Sequence, residues 1–346
     1  MIIGVGLDQR LRLSLGELSD LAEEANRLGF ASMWTPSVAV PEAFHVCSAW
    51  SQRTSQITGS SIRTGIGVIP AAKMWKLESL ANNAATLGQI SGGNFVLGLG
   101  TGGAGVDYWS TAGLPDRPIA IMRDYVTVLR ALLAGEEVTY SGPAISVDRL
   151  SLGARFPKVP VYLAALGPQM LRLAGHVADG ASLNWATPAQ IAWSSDLLTE
   201  AAASVGRQRD ELTLSMYIRV CVDEDVDAAR RAFAMQVLGY GLARPGVDPT
   251  LGYRGHFGRM GFEEVFGEIE KRRDSGTPVS ELVDLVPDEL LHTVGYFGTP
   301  EGAARRFAAL SVGLDETIVR VISAGRGVEP VLATMEALSP ANIRAA

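Results

Sequence analysis

Cysteine is scarce in this chain, and its scarcity argues against stabilisation by disulfide bonds or by a bound metal. Among 346 residues there are 2 cysteines, Cys47 and Cys221. They lie far apart, one in a pattern typical of a buried helix and the other in a pattern typical of a buried strand. We therefore expect neither a disulfide framework nor a bound metal, and both thiols should pack as small core side chains.

Long apolar runs and clusters of basic residues are missing as well. No stretch reaches the roughly 18 uninterrupted apolar residues of a membrane span, so we expect no membrane partner. The formal charge of -7, without a basic cluster, argues against nucleic acid as a partner. Residues 1–10 have no basic segment ahead of an apolar core and are typical of a first strand, so we expect a cytoplasmic protein.

Short β-branched runs alternate with amphipathic runs along the whole chain. The runs that predict strands are 2–7, 32–34, 62–69, 94–100, 159–165, 180–185, 212–222 and 317–323. Each is followed by a helical pattern in which apolar residues recur every three or four positions. Eight such units predict one (β/α)8 barrel domain over residues 1–346. A doubly wound open sheet is the alternative, because a count of units does not show closure.

Two segments interrupt the alternation. Residues 136–152 contain the turn sequence SGP between two alternating runs, which predicts a surface hairpin. About 75 residues separate the seventh and eighth strand runs, and residues 240–300 within them should form extra helices and a flap over one end of the barrel.

Ligands of parallel α/β proteins bind at the carboxyl ends of the strands, so the residues after each run are the candidates for function. The stretch AALGPQM follows the fifth strand run. Pro168 suits the first turn of a helix, and the free amides of Gly167, Gln169 and Met170 favour a phosphate or carboxylate. An ordinary tight turn with proline as helix starter is the alternative.

LGLGTGGAG, after the fourth strand run, is a second glycine-rich turn. It lacks the spacing of a dinucleotide-binding fingerprint. We interpret it as a loop, including Gly102, on which a flat ring could lie against the backbone, because glycine permits close approach. A glycine turn without a ligand is the alternative.

Several motifs together resemble a known family. LGFASMW, IRTGIGV, SGGNFVLGLGTGG, MRDYVTVLRALL, VYLAALGPQMLRLAGHVADG and FGTPEGAARRF occur in the order typical of luciferase-like monooxygenases. The set is similar to the branch that uses the deazaflavin coenzyme F420. The resemblance implies a (β/α)8 barrel with a flavin or deazaflavin across the strand ends.

The resemblance also implies roles for particular residues. Gly67 and Val68 match a bulge in the third strand, often with a non-proline cis peptide, that supports the back of the ring. The turn that binds the cofactor phosphate corresponds to four residues, Ala165, Gly167, Pro168 and Gln169. FMN is the alternative cofactor, because the same turn would hold its phosphate.

The chain departs from the family pattern at two places. After the second strand, F420-dependent dehydrogenases have an acidic residue and a histidine, where this chain has Trp34, Thr35, Pro36 and Ser37. A catalytic glutamate of the sugar-phosphate dehydrogenases falls near Gly103. The resemblance therefore implies no inherited acid or base, and it does not extend to oxidation of glucose 6-phosphate or of secondary alcohols.

Other side chains are candidates for the missing proton donor. They are Asp8, Glu42, His45, Tyr217 and His256. Each has a structural alternative. Asp8 could be an exposed loop carboxylate, Glu42 a charge at a helix N-terminus, and His45 a surface or core histidine. Tyr217 could fill the barrel, and His256 could be an exposed residue of the insertion.

The expected substrate pocket contains two aromatic rings and two polar groups. Its candidates are Trp34, Ser37, Trp185 and Arg254, with core packing as the alternative for both tryptophans. Asn184 is expected to hydrogen-bond a carbonyl of the cofactor ring.

Three hypotheses of function follow. The first is an F420-dependent oxidoreductase that reduces an electrophilic C=C, C=N or C=O group of a small molecule. The second is a monooxygenase that uses reduced FMN from a partner reductase. The third is a barrel that binds a cofactor without turnover. Related barrels pair through helices near the second and third strands, so we expect a homodimer.

Overall fold

The computed structural model describes residues 1–37, 40–70, 75–102, 117–243 and 247–346. Its strands are β1 (Ile2–Gly6), β2 (Ser32–Thr35), β3 (Arg63–Pro70), β4 (Phe95–Gly100), β5 (Val138–Ser141), β6 (Ser146–Leu150), β7 (Val161–Ala164), β8 (Gly180–Asn184), β9 (Thr213–Val222), β10 (Gly295–Gly298) and β11 (Glu316–Ile322).

Eight of these strands pair in parallel in the order β1, β2, β3, β4, β7, β8, β9, β11. Pairing of β8 with β9 and of β11 with β1 closes the sheet on itself. The (β/α)8 barrel predicted from the sequence is therefore confirmed, and the open-sheet alternative is wrong. Closure leaves no edge strand among the eight, which satisfies the backbone hydrogen bonds of every barrel strand.

Helices cover the outside of the barrel. They are α1 (Leu15–Arg27), α2 (Ala43–Thr58), α3 (Leu77–Ile90), α4 (Pro118–Leu133), α5 (Pro168–Val177), α6 (Pro188–Ser204), α7 (Val226–Gly241), α8 (Gly252–Phe257), α9 (Glu263–Asp274), α10 (Val279–Leu282), α11 (Asp288–Val294), α12 (Pro300–Leu310), α13 (Glu329–Ala337) and α14 (Pro340–Ala345). No helix within the described ranges has the length and apolar character that a membrane crossing needs.

The barrel interior near the amino ends of the strands is filled by side chains. The indole of Trp34 lies 6.1 Å from the Tyr162 ring, centroid to centroid. Its Nε1 donates to Ser32 Oγ at 3.0 Å and to Glu316 Oε1 at 3.1 Å. Gly65 gives this indole its space, because a Cβ there would lie 2.4 Å from the ring. Of the two interpretations of Trp34, its contacts fit core packing.

The predicted hairpin is present as the antiparallel pair β5 and β6. The segment between α7 and α12 contains α8 to α11 and the short strand β10, which pairs in parallel with residues 219–222 of β9. Phe233 of α7, Phe257 of α8 and Phe266 of α9 are fully buried members of a second apolar cluster. Burial of these rings holds the inserted helices against α7 beside the end of β9.

Candidate functional site

The end of β3 carries an irregularity where the sequence predicts one. The pairing of β3 with β4 shifts between Ile66 and Ile69, so Gly67 and Val68 lie opposite the single residue Gly98. This is a β-bulge, which redirects a strand and is common beside functional sites. The peptide between Gly67 and Val68 is cis. The expected bulge and the expected cis peptide are both confirmed.

Neighbouring strands pack closely against the bulge. A Cβ at Gly98 or Gly100 would lie 3.0 or 2.8 Å from the Val68 side chain, so the glycines of β4 make room for it. The backbone N–H of buried Ser37 donates to the Val68 carbonyl at 3.5 Å. Ser37 thus lies beside the bulge. Gly102 is half-buried just after β4 with φ of 77°, whereas Gly103 lies outside the described residues.

Tyr217 of β9 stands beneath the bulge inside the barrel. A Cβ at Gly67 would lie 2.7 Å from the Tyr217 hydroxyl, and a Cβ at Gly6 would lie 2.9 Å from the edge of the ring. The hydroxyl is buried and has no hydrogen-bond partner among the described residues. Burial raises the pKa of Tyr217, and the Arg320 guanidinium only partly opposes this shift. The phenol is therefore protonated at neutral pH and is a free hydrogen-bond donor.

The stretch AALGPQM forms the turn from β7 into α5. Gly167 is the N-cap of α5, with Pro168 in the first turn and no side chain capping the helix. Space around Gly167 is open, because no atom lies within 4 Å of a Cβ built there. Ala165 is buried, and its N–H donates to the Ser182 carbonyl at 3.1 Å. The uncapped amides of the first turn point out of a positive helix end that suits an anion.

Charged residues meet at the carboxyl ends of β1, β9 and β11. Asp8, just after β1, accepts from the Arg10 backbone N–H at 2.7 Å and pairs with Arg320 of β11. Arg219 of β9 donates to Asn184 Oδ1 at 2.6 Å. Asp8, Arg219 and Arg320 are all buried, so the exposed-loop alternative for Asp8 is wrong.

These three side chains border a cavity of about 240 Å³. We call it the arginine pocket, after its five arginines Arg10, Arg12, Arg219, Arg320 and Arg326. Burial lowers the pKa of Arg219. For Arg320 burial is the largest cause and acts in the same direction, but the Asp8 carboxylate together with Tyr217 and Tyr240 outweighs it, and the pKa is raised.

Tyr240 of α7 borders the same group of arginines. Its ring centroid lies 4.9 Å from the guanidinium carbon of Arg219 and 5.5 Å from that of Arg10. Burial alone would raise the pKa of Tyr240, but the guanidiniums of Arg219, Arg320 and Arg10 outweigh it and lower the pKa. The lowered pKa indicates a positive electrostatic potential at the carboxyl ends of β1, β9 and β11.

The inserted helix α8 is tied to the end of β8. Asn184 Nδ2 donates to the Tyr253 hydroxyl at 2.7 Å, and His256 Nε2 donates to the Trp185 carbonyl at 2.9 Å. The Trp185 ring is buried, with the Arg219 guanidinium carbon 3.8 Å from its centroid. Burial lowers the pKa of His256, so its imidazole is neutral at pH 7.

The remaining candidates have partners elsewhere. Glu42 is the N-cap of α2 and accepts from the Phe44 N–H at 2.9 Å, while His45 Nδ1 lies 3.1 Å from the Glu42 carboxylate and the His45 side chain is exposed. Arg254 and His256 are buried. The alternative prediction, that these residues of the insertion are exposed to solvent, is therefore wrong. Arg254 pairs with Glu270 at 3.0 Å inside the insertion.

A larger cavity, of about 560 Å³, lies at the opposite end of the barrel. Arg130 Nε and Nη2 bind the two Asp179 oxygens at 3.1 and 3.0 Å, and Lys158 Nζ lies 3.7 Å from the same carboxylate. The charges in this cavity therefore pair with one another, and the pair of Arg130 with Asp179 joins α4 to the start of β8. Strand carboxyl ends, the bulge and the unpartnered phenol all lie at the other end, which we take as the functional mouth.

Sequence reasoning missed Arg219, Arg320 and Tyr240 as site residues. Arg219 and Arg320 interrupt otherwise apolar strand runs near their carboxyl ends. Arg219 is two residues from Tyr217, so both side chains point to the same face of β9. A charge inside an apolar strand pattern was the available signal, whereas nothing local distinguishes Tyr240.

The fold and the mouth define a class: a closed parallel barrel with a bulged third strand and a candidate ligand site at the strand ends. The profile described as luciferase-like monooxygenase matches residues 4–315, and the chain belongs to this family.

Individual relatives agree with that assignment. The 5,10-methylenetetrahydromethanopterin reductase of Methanolobus tindarius is 26% identical over 326 residues, 91% of each chain. An F420-dependent glucose-6-phosphate dehydrogenase of Microbacterium testaceum is 29% identical over 227 residues, 62% of this chain and 66% of the relative. The coenzyme F420-dependent tetrahydromethanopterin reductase of Methanopyrus kandleri superposes with a TM-score of 0.76 at 22% identity, covering 97% of both chains.

Proposed function

We propose that this protein is an oxidoreductase that uses coenzyme F420 to transfer a hydride to an electrophilic C=C, C=N or C=O group of a small molecule. A relative named as F420-dependent supports the choice of cofactor. The single observation that carries the proposal is the β3 bulge at Gly67 and Val68 with the free Tyr217 hydroxyl beneath it. This places a bare backbone surface and a proton donor at the same point of the mouth.

The residues at the mouth fit a flat cofactor that carries a phosphate. Gly67 and Val68 are half-buried, so part of the β3 backbone is accessible at the bulge. On the barrel side of Gly67 the Tyr217 hydroxyl fills the space of a side chain, 2.7 Å from where a Cβ would be. Across the mouth, Gly167 and the uncapped amides of Gln169 and Met170 offer donors to a phosphate. Coenzyme F420 bound here would supply two-electron hydride chemistry, and the chain would supply binding and orientation.

Tyr217 is the candidate that best suits the proton donor. Asp8 is held by Arg320, Glu42 caps α2, and His256 is enclosed by the insertion. The Tyr217 hydroxyl keeps its proton at neutral pH and has no described partner. A phenol in that state can give a hydrogen bond, or a proton, to a group that gains negative charge.

Titration with F420 and with FMN tests the proposal. We expect F420 to bind at micromolar concentration and to quench tryptophan fluorescence, with no oxygen consumed when the reduced form is added. FMN binding accompanied by oxygen consumption would instead identify a monooxygenase. Binding without turnover of any acceptor would identify a cofactor-binding barrel, and absence of binding by both cofactors would contradict all three functions.

A pair of variants at one position controls the binding experiment. Gly167→Phe should block the turn before α5 and weaken F420 binding at least tenfold, because its ring would fill the open space. Gly167→Ala adds one methyl group to a position with no atom within 4 Å and should bind F420 nearly normally. Circular dichroism should show both variants folded, since neither side chain meets the core.

We further propose a cytoplasmic homodimer acting on a small molecule. Exposed Ile57 and Ile90 lie on α2 and α3, the helices near the second and third strands through which the family resemblance implies pairing. Light scattering after gel filtration should give twice the chain mass. Ile57→Glu should shift the equilibrium toward monomer, and a monomeric wild type would contradict the dimer.

A further inference from the structure

The floor of the arginine pocket holds more positive than negative charge. Arg219 and Arg320 are 3% and 5% exposed, and Asp8, at 7%, is the one carboxylate among the described residues that line the pocket. Asp8 pairs with Arg320. A buried charge without a counter-charge is costly, so a second negative group is the expected complement of this floor.

Hydrogen bonding shows the same imbalance. Nη1 of Arg320 is buried without a partner among the described residues. Arg219 has neutral neighbours, the Asn184 carbonyl oxygen at 2.6 Å and the Trp185 ring at 3.8 Å. Buried donors are nearly always satisfied in folded proteins, so an unpartnered guanidinium nitrogen on a side chain that lines a cavity points to a ligand.

We propose that the arginine pocket binds a carboxylate or phosphate group of the substrate. Planar guanidiniums bind both groups through paired, charge-assisted hydrogen bonds. The exposed arginines Arg10, Arg12 and Arg326 at the rim add positive potential to the entrance. The assignment of this group to the substrate rests on the oxidoreductase function proposed above.

The position of the pocket separates it from the cofactor turn. The pocket lies at the ends of β9, β11 and β1, whereas the turn at Gly167 follows β7. In the closed barrel, β8 separates them on one side and β2, β3 and β4 on the other. The Arg320 guanidinium carbon is 5.0 Å from the Tyr217 ring centroid. An anion bound by Arg320 would therefore hold the rest of the substrate close to Tyr217.

Inorganic phosphate and succinate, against potassium chloride at equal ionic strength, probe the site directly. We expect either anion to raise the melting temperature of the protein and to give a measurable Kd by calorimetry. The paired variant Asp8→Asn with Arg320→Gln removes both partners of the buried ion pair together and leaves Arg219 in place. Loss of the Arg320 guanidinium should weaken anion binding at least tenfold. No preference over chloride, or equal binding by the variant, would overturn the proposal.

Substitutions of exposed residues provide a second test in case the variant with Asp8→Asn and Arg320→Gln fails to fold. We call the variant with exposed pocket residues changed the rim variant. Arg10→Gln with Arg326→Gln changes two exposed residues and should weaken anion binding several-fold. Arg272→Gln, on the exposed side of α9, is the matched control and should bind like the wild type. Equal affinities in the rim variant and the control would contradict the pocket as an anion site.

A competition experiment assigns the anion to its source. If the pocket serves the substrate, the rim variant should bind F420 within twofold of the wild type, and phosphate should weaken F420 binding equally in both proteins. Weak F420 binding in the rim variant, together with less competition by phosphate there, would assign the pocket to the cofactor and overturn the proposal. Anion binding without any F420 binding would support the anion site and contradict the proposed cofactor.

Discussion

At the scale of single residues, the chemistry of the mouth depends on groups that are buried yet incompletely paired. The Tyr217 hydroxyl and Arg320 Nη1 are both buried without described partners. Removing such groups from water costs free energy, and within the described residues no hydrogen bond offsets this cost. We take them as groups whose partners arrive with the ligands, one on the reacting part of the substrate and one on its anionic end.

Tyr217→Phe isolates the role of the hydroxyl. We expect kcat to fall by roughly 100-fold, the usual contribution of a positioned acid, while the Kd for F420 stays unchanged. Tyr162→Phe, a phenol deeper in the same barrel that binds Arg63 at 2.6 Å, is the matched control and should keep its kcat. Equal loss of turnover in both variants would reduce Tyr217 to a packing residue.

His256 predicts a pH-dependent stability. Burial lowers its pKa below the unfolded value of 6.5, so the unfolded chain takes up a proton first as the pH falls. The free energy of unfolding should therefore decrease as the pH falls through and below 6.5. His256→Gln should show a smaller decrease in urea titrations, whereas His45→Gln, which changes an exposed histidine, should retain the full decrease.

At the scale of elements, one buried carboxylate joins the hairpin to the barrel. Asp124 of α4 accepts from the Tyr140 hydroxyl at 2.8 Å and from the N–H groups of Ala144 and Ile145 at 2.7 and 3.1 Å. Asp124 is fully buried, so it connects β5 and β6 to α4 without a competing water contact.

Asp124→Ala should detach the hairpin. It leaves three donors without their acceptor, and we expect a loss of about 2 kcal/mol in the free energy of unfolding. Amide exchange at Ala144 and Ile145 should accelerate strongly. Asp148→Ala, on the exposed side of β6, loses one hydrogen bond of 3.4 Å and should change neither quantity much. Unchanged exchange in the Asp124 variant would refute this role.

At the scale of the whole molecule, closure of the barrel couples cofactor binding to global stability. The bulge lies on β3, the α5 turn follows β7, and the arginine pocket lies at the ends of β9, β11 and β1. All of these strands belong to one closed sheet. A ligand that bridges these strands is bound by the folded state and not by the unfolded chain. F420 at 100 times its Kd should therefore raise the free energy of unfolding by about 2.7 kcal/mol.

That increase should appear as a melting temperature that rises with the logarithm of the F420 concentration. FMN is the comparison ligand and should produce a smaller shift at the same concentration. Gly167→Phe should reduce the F420 effect to about half or less while keeping the melting temperature of the free protein. A shift of equal size in this variant would show that F420 binds somewhere other than the turn.

Local patterns were sufficient for the strand–helix units and for part of the mouth, whereas closure of the barrel did not follow from them. The alternation of strand and helix periodicities predicted eight units, the hairpin and the turn at Gly167, because each depends on neighbours in sequence. The bulge at Gly67 was predicted from the resemblance of IRTGIGV to its family. For Asp8 the sequence left a site residue and an exposed loop carboxylate as alternatives. Its pairing with Arg320, more than 300 positions along the chain, is what makes exposure wrong.

The sequence by itself determined the fold class, the family and the positions of the strand ends, since periodicity and turn residues act over a few positions. Only the tertiary structure decided that Trp34 fills the barrel, that Tyr217 lies beneath Gly67, and that Arg219 and Arg320 share one pocket. The reason is closure. Residues of β9, β11 and β1 become neighbours only when the last strand pairs with the first, and no local pattern encodes which of their side chains then meet.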